Sequence, residues 1–217
     1  PYSVDWTATR SITDAVQIVD GNWRLEAGGV RTVETYYDRI LALGDRTWTD
    51  YTLTAEVTFH GYTPPLGGPP TYGVSHAALA ARYPGHFADN RQPHVQWYPV
   101  GAVAEFRLGV DLAQSSWRIF VGGAPDKMPA APVEARQRTV EIGVAYKLML
   151  RVDTLPDGAA RYRTKSWKVG APEPAAWDMD VHDARPRQQS GGALLVAHNT
   201  DVTFGPIHAE KNAPHRQ

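Results

Sequence analysis

The chain has 217 residues, 42% hydrophobic and 21% charged, enough to bury the core of one large domain or two small ones. Its 22 basic and 23 acidic side chains leave a net charge of −1, which argues against nucleic-acid binding by bulk phosphate attraction. No apolar run approaches the roughly 18 residues of a membrane span, and the absence of cysteine removes disulfides, thiolate metal sites and cysteine nucleophiles.

Alternation, not helical periodicity, runs along the chain. It begins at Pro1 with no leader-like apolar stretch, as a mature form or an excised piece would. Strands are predicted at Trp23–Ala27, Gly29–Val33 and Arg39–Leu43. Tyr51–Phe59 follows with the clearest pattern: Leu53, Ala55, Val57 and Phe59 on one face, Thr52, Thr54, Glu56 and Thr58 on the other. A period of two with many β-branched residues is a half-buried strand. Tyr72–Tyr83, His94–Tyr98, Ala102–Leu108 and Trp117–Val121 continue the series. Gly122–Arg138, rich in Pro and Ala, reads as a long surface loop. Tyr146–Asp153 alternates again and runs into Pro156, Asp157 and Gly158. Pro presets φ and Gly accepts positive φ, so this is a hairpin turn, with Ala159–Lys168 as the returning strand. Ala193–His198 and Val202–His208 close the set, and residues 209–217 are expected to fray. A dozen short strands with Gly, Pro and Asp punctuation predict one all-β sandwich over residues 1–217, its core spanning about 15–208.

The order of segments resembles the concanavalin A-like lectin/glucanase superfamily. The residues that carry the likeness are Gly21–Gly29 with Trp23, and Trp48–Val57. Further along come Lys165–Trp167, Glu173, Pro174 and Trp177, then Gly192–His198 and Asp201–Ile207. The match spans roughly Trp23 to Ile207, and its nearest branches are laminin-G-like domains and a family associated with 3-keto-disaccharide hydrolysis. The resemblance implies a jelly roll of two antiparallel sheets, one concave, with glycan binding or cleavage common among relatives. The paired-carboxylate strand of retaining β-glucanases has no counterpart: Glu134, Glu141, Glu173, Asp178 and Asp180 do not form it on a predicted strand.

With the apolar residues turned inward, one polar strip emerges from consecutive strands. It holds Glu56, Thr58 and His60; His76 and Arg82; His94, Gln96 and Tyr98; and Glu105 and Arg107. Counting from the turns sets Glu56 opposite His76, Arg82 near His94, Gln96 near Arg107 and Tyr98 near Glu105. Ala78 and Ala80 form a small floor that leaves room for a ligand. Three His, two Arg and a Tyr are unlike an ordinary solvent-facing sheet, although any such face is polar in this alternation.

Three chemistries use such a strip. A poly- or oligosaccharide would hydrogen-bond to Arg, Gln and Glu and stack on Tyr62, Tyr72 or Tyr98. Elimination on an acidic polysaccharide would neutralise the uronate with Arg82 or Arg107 and Gln96. His76, His94 or Tyr98 would then carry the proton, the residue types that jelly-roll alginate lyases use. Hydrolysis by Glu56 and Glu105 is the weakest: two strands apart, they lie about 10–14 Å from each other, beyond the roughly 5–9.5 Å that glycoside hydrolysis needs. A structural calcium held by Asp20, Asn22 and Asp201 is implied by related sandwiches, while turn geometry alone also explains those residues. No zinc spacing is present among the histidines. Were the opposite face the concave one, Lys147, Met149, Arg151, Arg161, Arg163 and Lys165 would line it. The expectation is therefore an extracellular or periplasmic carbohydrate-interacting module, within a larger multidomain protein or assembly. A polysaccharide lyase or glycoside hydrolase and a structural or adhesion module are the alternatives. For the last, Val202–Ile207 or Arg39–Leu43 would serve if they prove to be free edges.

Overall fold

The computed structural model describes residues 1–62, 74–85, 99–122 and 132–213. In chain order the elements are β1 (Tyr2–Val4), helix α1 (Ile12–Ala15), β2 (Gln17–Asp20), β3 (Trp23–Glu26), β4 (Gly29–Thr32), β5 (Arg39–Leu43), β6 (Tyr51–Tyr62) and β7 (Ser75–Tyr83). They continue with β8 (Ala102–Leu108), a 3-10 turn at Leu112–Gln114, β9 (Ser116–Val121), β10 (Glu134–Gln137), β11 (Ala145–Thr154), β12 (Ala160–Lys168), β13 (Met179–Asp183), β14 (Gly192–His198) and β15 (Thr200–Lys211).

Two antiparallel sheets result. One runs β13-β12-β11-β6-β15-β4-β3, with β1 also pairing β15; the other runs β10-β9-β8-β7-β14-β5-β2. The core lies between them. Leu53, Ala55, Val57 and Phe59 of β6, with Leu148 and Leu150 of β11, meet Ala77, Leu79 and Ala81 of β7, Phe106 of β8 and Trp117 of β9. Phe59 and Phe106 meet edge to face at 6.2 Å, and Phe106 leans on Trp117 at 4.9 Å. Burying each large apolar side chain contributes about 1.5–3 kcal/mol. A second apolar layer covers the outer face of the seven-stranded sheet, where Ile40, Ala78, Ala80, Val103, Leu194 and Val196 are buried.

The Pro156–Gly158 hairpin forms as read. Leu155 and Ala159 close it, Gly158 takes φ +85°, and Asp157 Oδ1 accepts from the Ala159 amide. The remaining expected strands appear within a few residues of their predicted limits, except His94–Tyr98, which lies outside the described residues along with Tyr72.

Four expectations are corrected. β6 does not pair with β7: it lies between β11 and β15, and β7 lies in the other sheet. An apolar face suits two strands equally well side by side or stacked across the core, so alternation could not choose. Glu134–Gln137 is not loop but β10, paired to β9. The chain end does not fray at 209: β15 continues to Lys211, and Asn212 is buried, accepting from Thr52 and donating to the Val152 carbonyl and Asp153. Neither Arg39–Leu43 nor Val202–Ile207 is an edge, because β5 is flanked by β14 and β2, and β15 by β6 and β4. Among the described strands the edges are β13, β3, β10, β2 and β1, all of three to five residues, and short edges resist sheet-to-sheet pairing.

Candidate functional site

The register of the seven-stranded sheet places two polar rows side by side on its outer face. One is His198–His76–Arg107–Ser116 across β14, β7, β8 and β9; the next, two residues along, is Val196–Ala78–Glu105–Arg118. His76, Glu105 and Arg107 of the predicted strip therefore do converge, at the end of the sheet where β7 starts and β8 and β14 finish.

His76 is 7% exposed and Glu105 1%. Nε2 of His76 stands 3.7 Å from Glu105 Oε2, and Arg118 binds the other carboxylate oxygen. Burial works against ionisation of Glu105, but the cationic groups around it outweigh burial and hold its carboxyl below the usual range. Burial also dominates at His76, pushing its imidazole down to about 4, so it is neutral at neutral pH. Arg107 is half-buried, and burial followed by repulsion from Arg118 lowers its pKa. It stays a cation and makes no ion pair among the described residues.

Beneath this lies a contact the sequence did not suggest. His198 stacks on His76, ring centres 4.9 Å apart and planes 2° from parallel. Its Nδ1 is 2.8 Å from Asp38 Oδ1, and Tyr37 meets its ring edge-on at 4.7 Å. Asp38 and Asn199 both take positive φ, +30° and +49°, which Asp and Asn tolerate better than most residues. Nδ1 of His76, Nε2 of His198 and Oε2 of Glu105 are buried without a hydrogen-bond partner among the described residues. Strand parity alone puts His198 on the face of Leu194 and Val196, but only the β14–β7 pairing brings it to His76. Asp38 and Arg118 carried no signal beyond their charge.

The other predicted site residues go elsewhere. Glu56 and His60 lie on the eight-stranded sheet, where Glu56 is 3.8 Å from Lys147 and His60 Nε2 is 2.8 Å from Thr203 Oγ1. They cannot share a site with Glu105, so the Glu56–Glu105 pair is excluded as a hydrolytic couple. Tyr62, at the end of β6, donates to the Val110 carbonyl at 3.1 Å and so bridges toward the β8 end of the cluster. Arg82 leaves the strip altogether. Its φ of +58° breaks the alternation of β7, turning Tyr83 to the outer face and its own side chain inward. Fully buried, Arg82 donates to the carbonyls of Thr49 and Gln188 and to Thr154 Oγ1, and packs on Tyr162. It is an internal strut. His94, Gln96 and Tyr98 lie outside the described residues.

The predicted calcium ligands do not converge as free oxygens. Both oxygens of Asp201 accept from Arg31 at 2.7 Å, and Asn22 donates to Glu34. Among the described residues no three His, Asp or Glu side chains are grouped to hold a metal ion. No described helix is long and apolar enough to cross a membrane.

Two stacked antiparallel sheets with this strand order define a concanavalin A-like β-sandwich. No protein-family model and no curated protein matches the chain. Among solved structures it is similar to the carbohydrate recognition domain of Emp47p (TM-score 0.61, 11% identity, 98% of this chain and 96% of that one). It is also similar to the exoplasmic/lumenal domain of VIP36 in its Ca2+/Man3GlcNAc-bound form (0.57, 9%, 100% and 90%). A third likeness is to an endo-β-1,4-glucuronan lyase from the fungus Trichoderma reesei (0.54, 11%, 97% and 95%). At these identities the likeness is one of fold.

Proposed function

We propose that the chain binds a poly- or oligosaccharide on the outer face of the seven-stranded sheet, at the end where His76, Glu105 and Arg107 meet. The observation that carries this reading is the buried polar cluster in which two ring nitrogens and a carboxylate oxygen have no hydrogen-bond partner among the described residues. Such atoms destabilise a fold unless a ligand or water satisfies them. Sugar hydroxyls both donate and accept, and so suit a mixed set. Arg107, which makes no ion pair among the described residues, favours an acidic group or vicinal hydroxyls on the ligand. Tyr62 supplies an aromatic face at the rim. The fold shared with carbohydrate recognition domains supports the same reading, and the exoplasmic/lumenal placement of the VIP36 domain supports an extracellular or periplasmic setting as part of it. The test is electrophoresis of the purified protein through gels containing neutral or acidic polysaccharides, stained afterwards for polymer loss. Retardation without clearing is expected; no retardation in any gel overturns the proposal.

One observation favours a second reading, elimination on an acidic polysaccharide. A neutral His76 lies on His198, itself held by Asp38, beside Arg107. In that reaction Arg107 neutralises the uronate carboxylate and an imidazole takes the C5 proton. The C4–oxygen bond breaks as the C4–C5 double bond forms, and the same imidazolium returns its proton to the leaving oxygen. Clearing of acidic gels alone supports this reading; retardation without clearing eliminates it.

A further inference from the structure

A cleft of about 980 Å³ opens at the other end of the same sheet. β7 connects the two places: His76 near its start belongs to the cluster above, and Tyr83 at its end lines the cleft. Seven residue steps along the strand separate them, about 23 Å at ~3.3 Å per residue. The walls are the turn after β5 on one side and the segment joining α1 to β2 on the other, with Tyr2 and Trp48 between.

These walls are built rather than incidental. Tyr83 is 5% exposed, yet its hydroxyl has no hydrogen-bond partner among the described residues. It faces the cleft side of the sheet because the positive φ of Arg82 reverses the strand parity. Trp48 is half-buried, its indole held by ring contacts to Tyr2 at 5.9 Å and to Tyr51 at 5.3 Å. Gly44 lies directly against that indole: a Cβ there would fall 2.5 Å from the ring, and its φ is +83°. Asp45 fixes the turn through one oxygen, which accepts from the amide and hydroxyl of Thr47. Arg46 lies along Gly85 and makes no ion pair among the described residues.

We infer that this cleft is a second saccharide site, taking a neutral sugar of one to a few units. Its chemistry is the complement of a sugar ring: aromatic surface from Tyr2 and Trp48 for the C–H face, donors from Tyr83 and Arg46, and an acceptor at Asp45. Unlike the Arg107 end, it has no excess of cations, since Asp14 and Asp45 stand against Arg46. A volume of this size also falls in the range of small-ligand sites. The inference rests on the saccharide-binding reading above. With two sites on one sheet, a single glycan chain or two neighbouring ones gain avidity without any new contact.

The test is calorimetric titration of the full chain with mannotriose, cellotriose and xylotriose, repeated for Tyr83→Phe, Arg46→Ala and Arg107→Ala. Tyr83→Phe keeps the ring and removes only the hydroxyl, so its folding is preserved. The expected result is that a trisaccharide binds the cleft and that Tyr83→Phe and Arg46→Ala each weaken this binding by roughly three- to tenfold, as loss of one hydrogen bond does, while Arg107→Ala leaves the binding that those two variants weaken in place. A trisaccharide weakened only by Arg107→Ala overturns the cleft site and keeps the first one. So does the absence of trisaccharide binding in a protein that acidic polysaccharide still retards. Failure of every trisaccharide and every polysaccharide overturns both.

Discussion

His76 and His198 lie face to face, 4.9 Å between ring centres and 2° from parallel. Burial and the stacked ring weigh against a positive charge on His76. The groups facing it divide: Glu105 and Asp38 favour the proton at His76, whereas Arg118 and His198 oppose it.

This gives a pH dependence of known sign. His76 titrates near 4 in the fold against about 6.5 in an unfolded chain. Between those values the unfolded state takes a proton that the folded state refuses. Stability from this group is fully present above about pH 6.5 and falls as pH drops toward 4, by at most about 3 kcal/mol. Urea unfolding midpoints at pH 7.5 and 5 check it, and His76→Gln should flatten most of the difference.

Arg82 should matter to stability and not to binding. Arg82→Ala removes the donors to Thr49, Gln188 and Thr154, leaves these part-buried acceptors without them and strips the guanidinium from Tyr162. The expected cost is about 3 kcal/mol. Arg82→Lys recovers only part, because an ammonium cannot reach several acceptors at once. Chemical unfolding of both variants measures this, and polysaccharide retardation of whatever fraction stays folded should match the parent.

Arg107→Ala and Arg151→Ala separate the two outer faces. Arg151 already shares Asp153 with Arg163 on the eight-stranded sheet. Replacing Arg107 should weaken saccharide binding by about tenfold or more, as loss of a charged hydrogen bond does, and replacing Arg151 should leave it alone. The opposite pattern in the gels would transfer the site to the other sheet.

Asp201 should prove to be an ion-pair residue. Its pKa is lowered chiefly by the hydrogen bonds from Arg31, so the carboxylate is already satisfied. Asp201→Asn should lower stability by about 1 kcal/mol, the scale of a part-exposed pair, and should leave any effect of added calcium on the melting temperature unchanged.

The strands and their inward faces were legible because alternation reports burial directly: Leu53 to Phe59 on β6 and Leu148 to Val152 on β11 point where the pattern says. Which strand neighbours which was not legible, because the apolar faces of β6 and β7 fit either a paired or a stacked arrangement. The site inherited that ambiguity. His76, Glu105 and Arg107 held together since β7 and β8 do pair, whereas Glu56 and His60 were carried off with β6. Arg82 was lost to one backbone angle, which no side-chain pattern reports. Asp38 and His198, 160 residues apart, meet only once the sheet is assembled.

The pairing of β1 with β15 sets Tyr2 opposite Ala209, and antiparallel partners of this kind lie only about 5 Å apart. The first and last strands of the sandwich are thus stitched side by side. A short linker joining them, with a new opening cut at the Pro156–Gly158 turn, would change the order in which the strands are made without changing where any of them sits. Such a circular permutant would move the ends of the chain along the same end of the sheet, from β15 past β6 to the β11–β12 hairpin, while leaving the histidine pair and the Trp48 cleft in place.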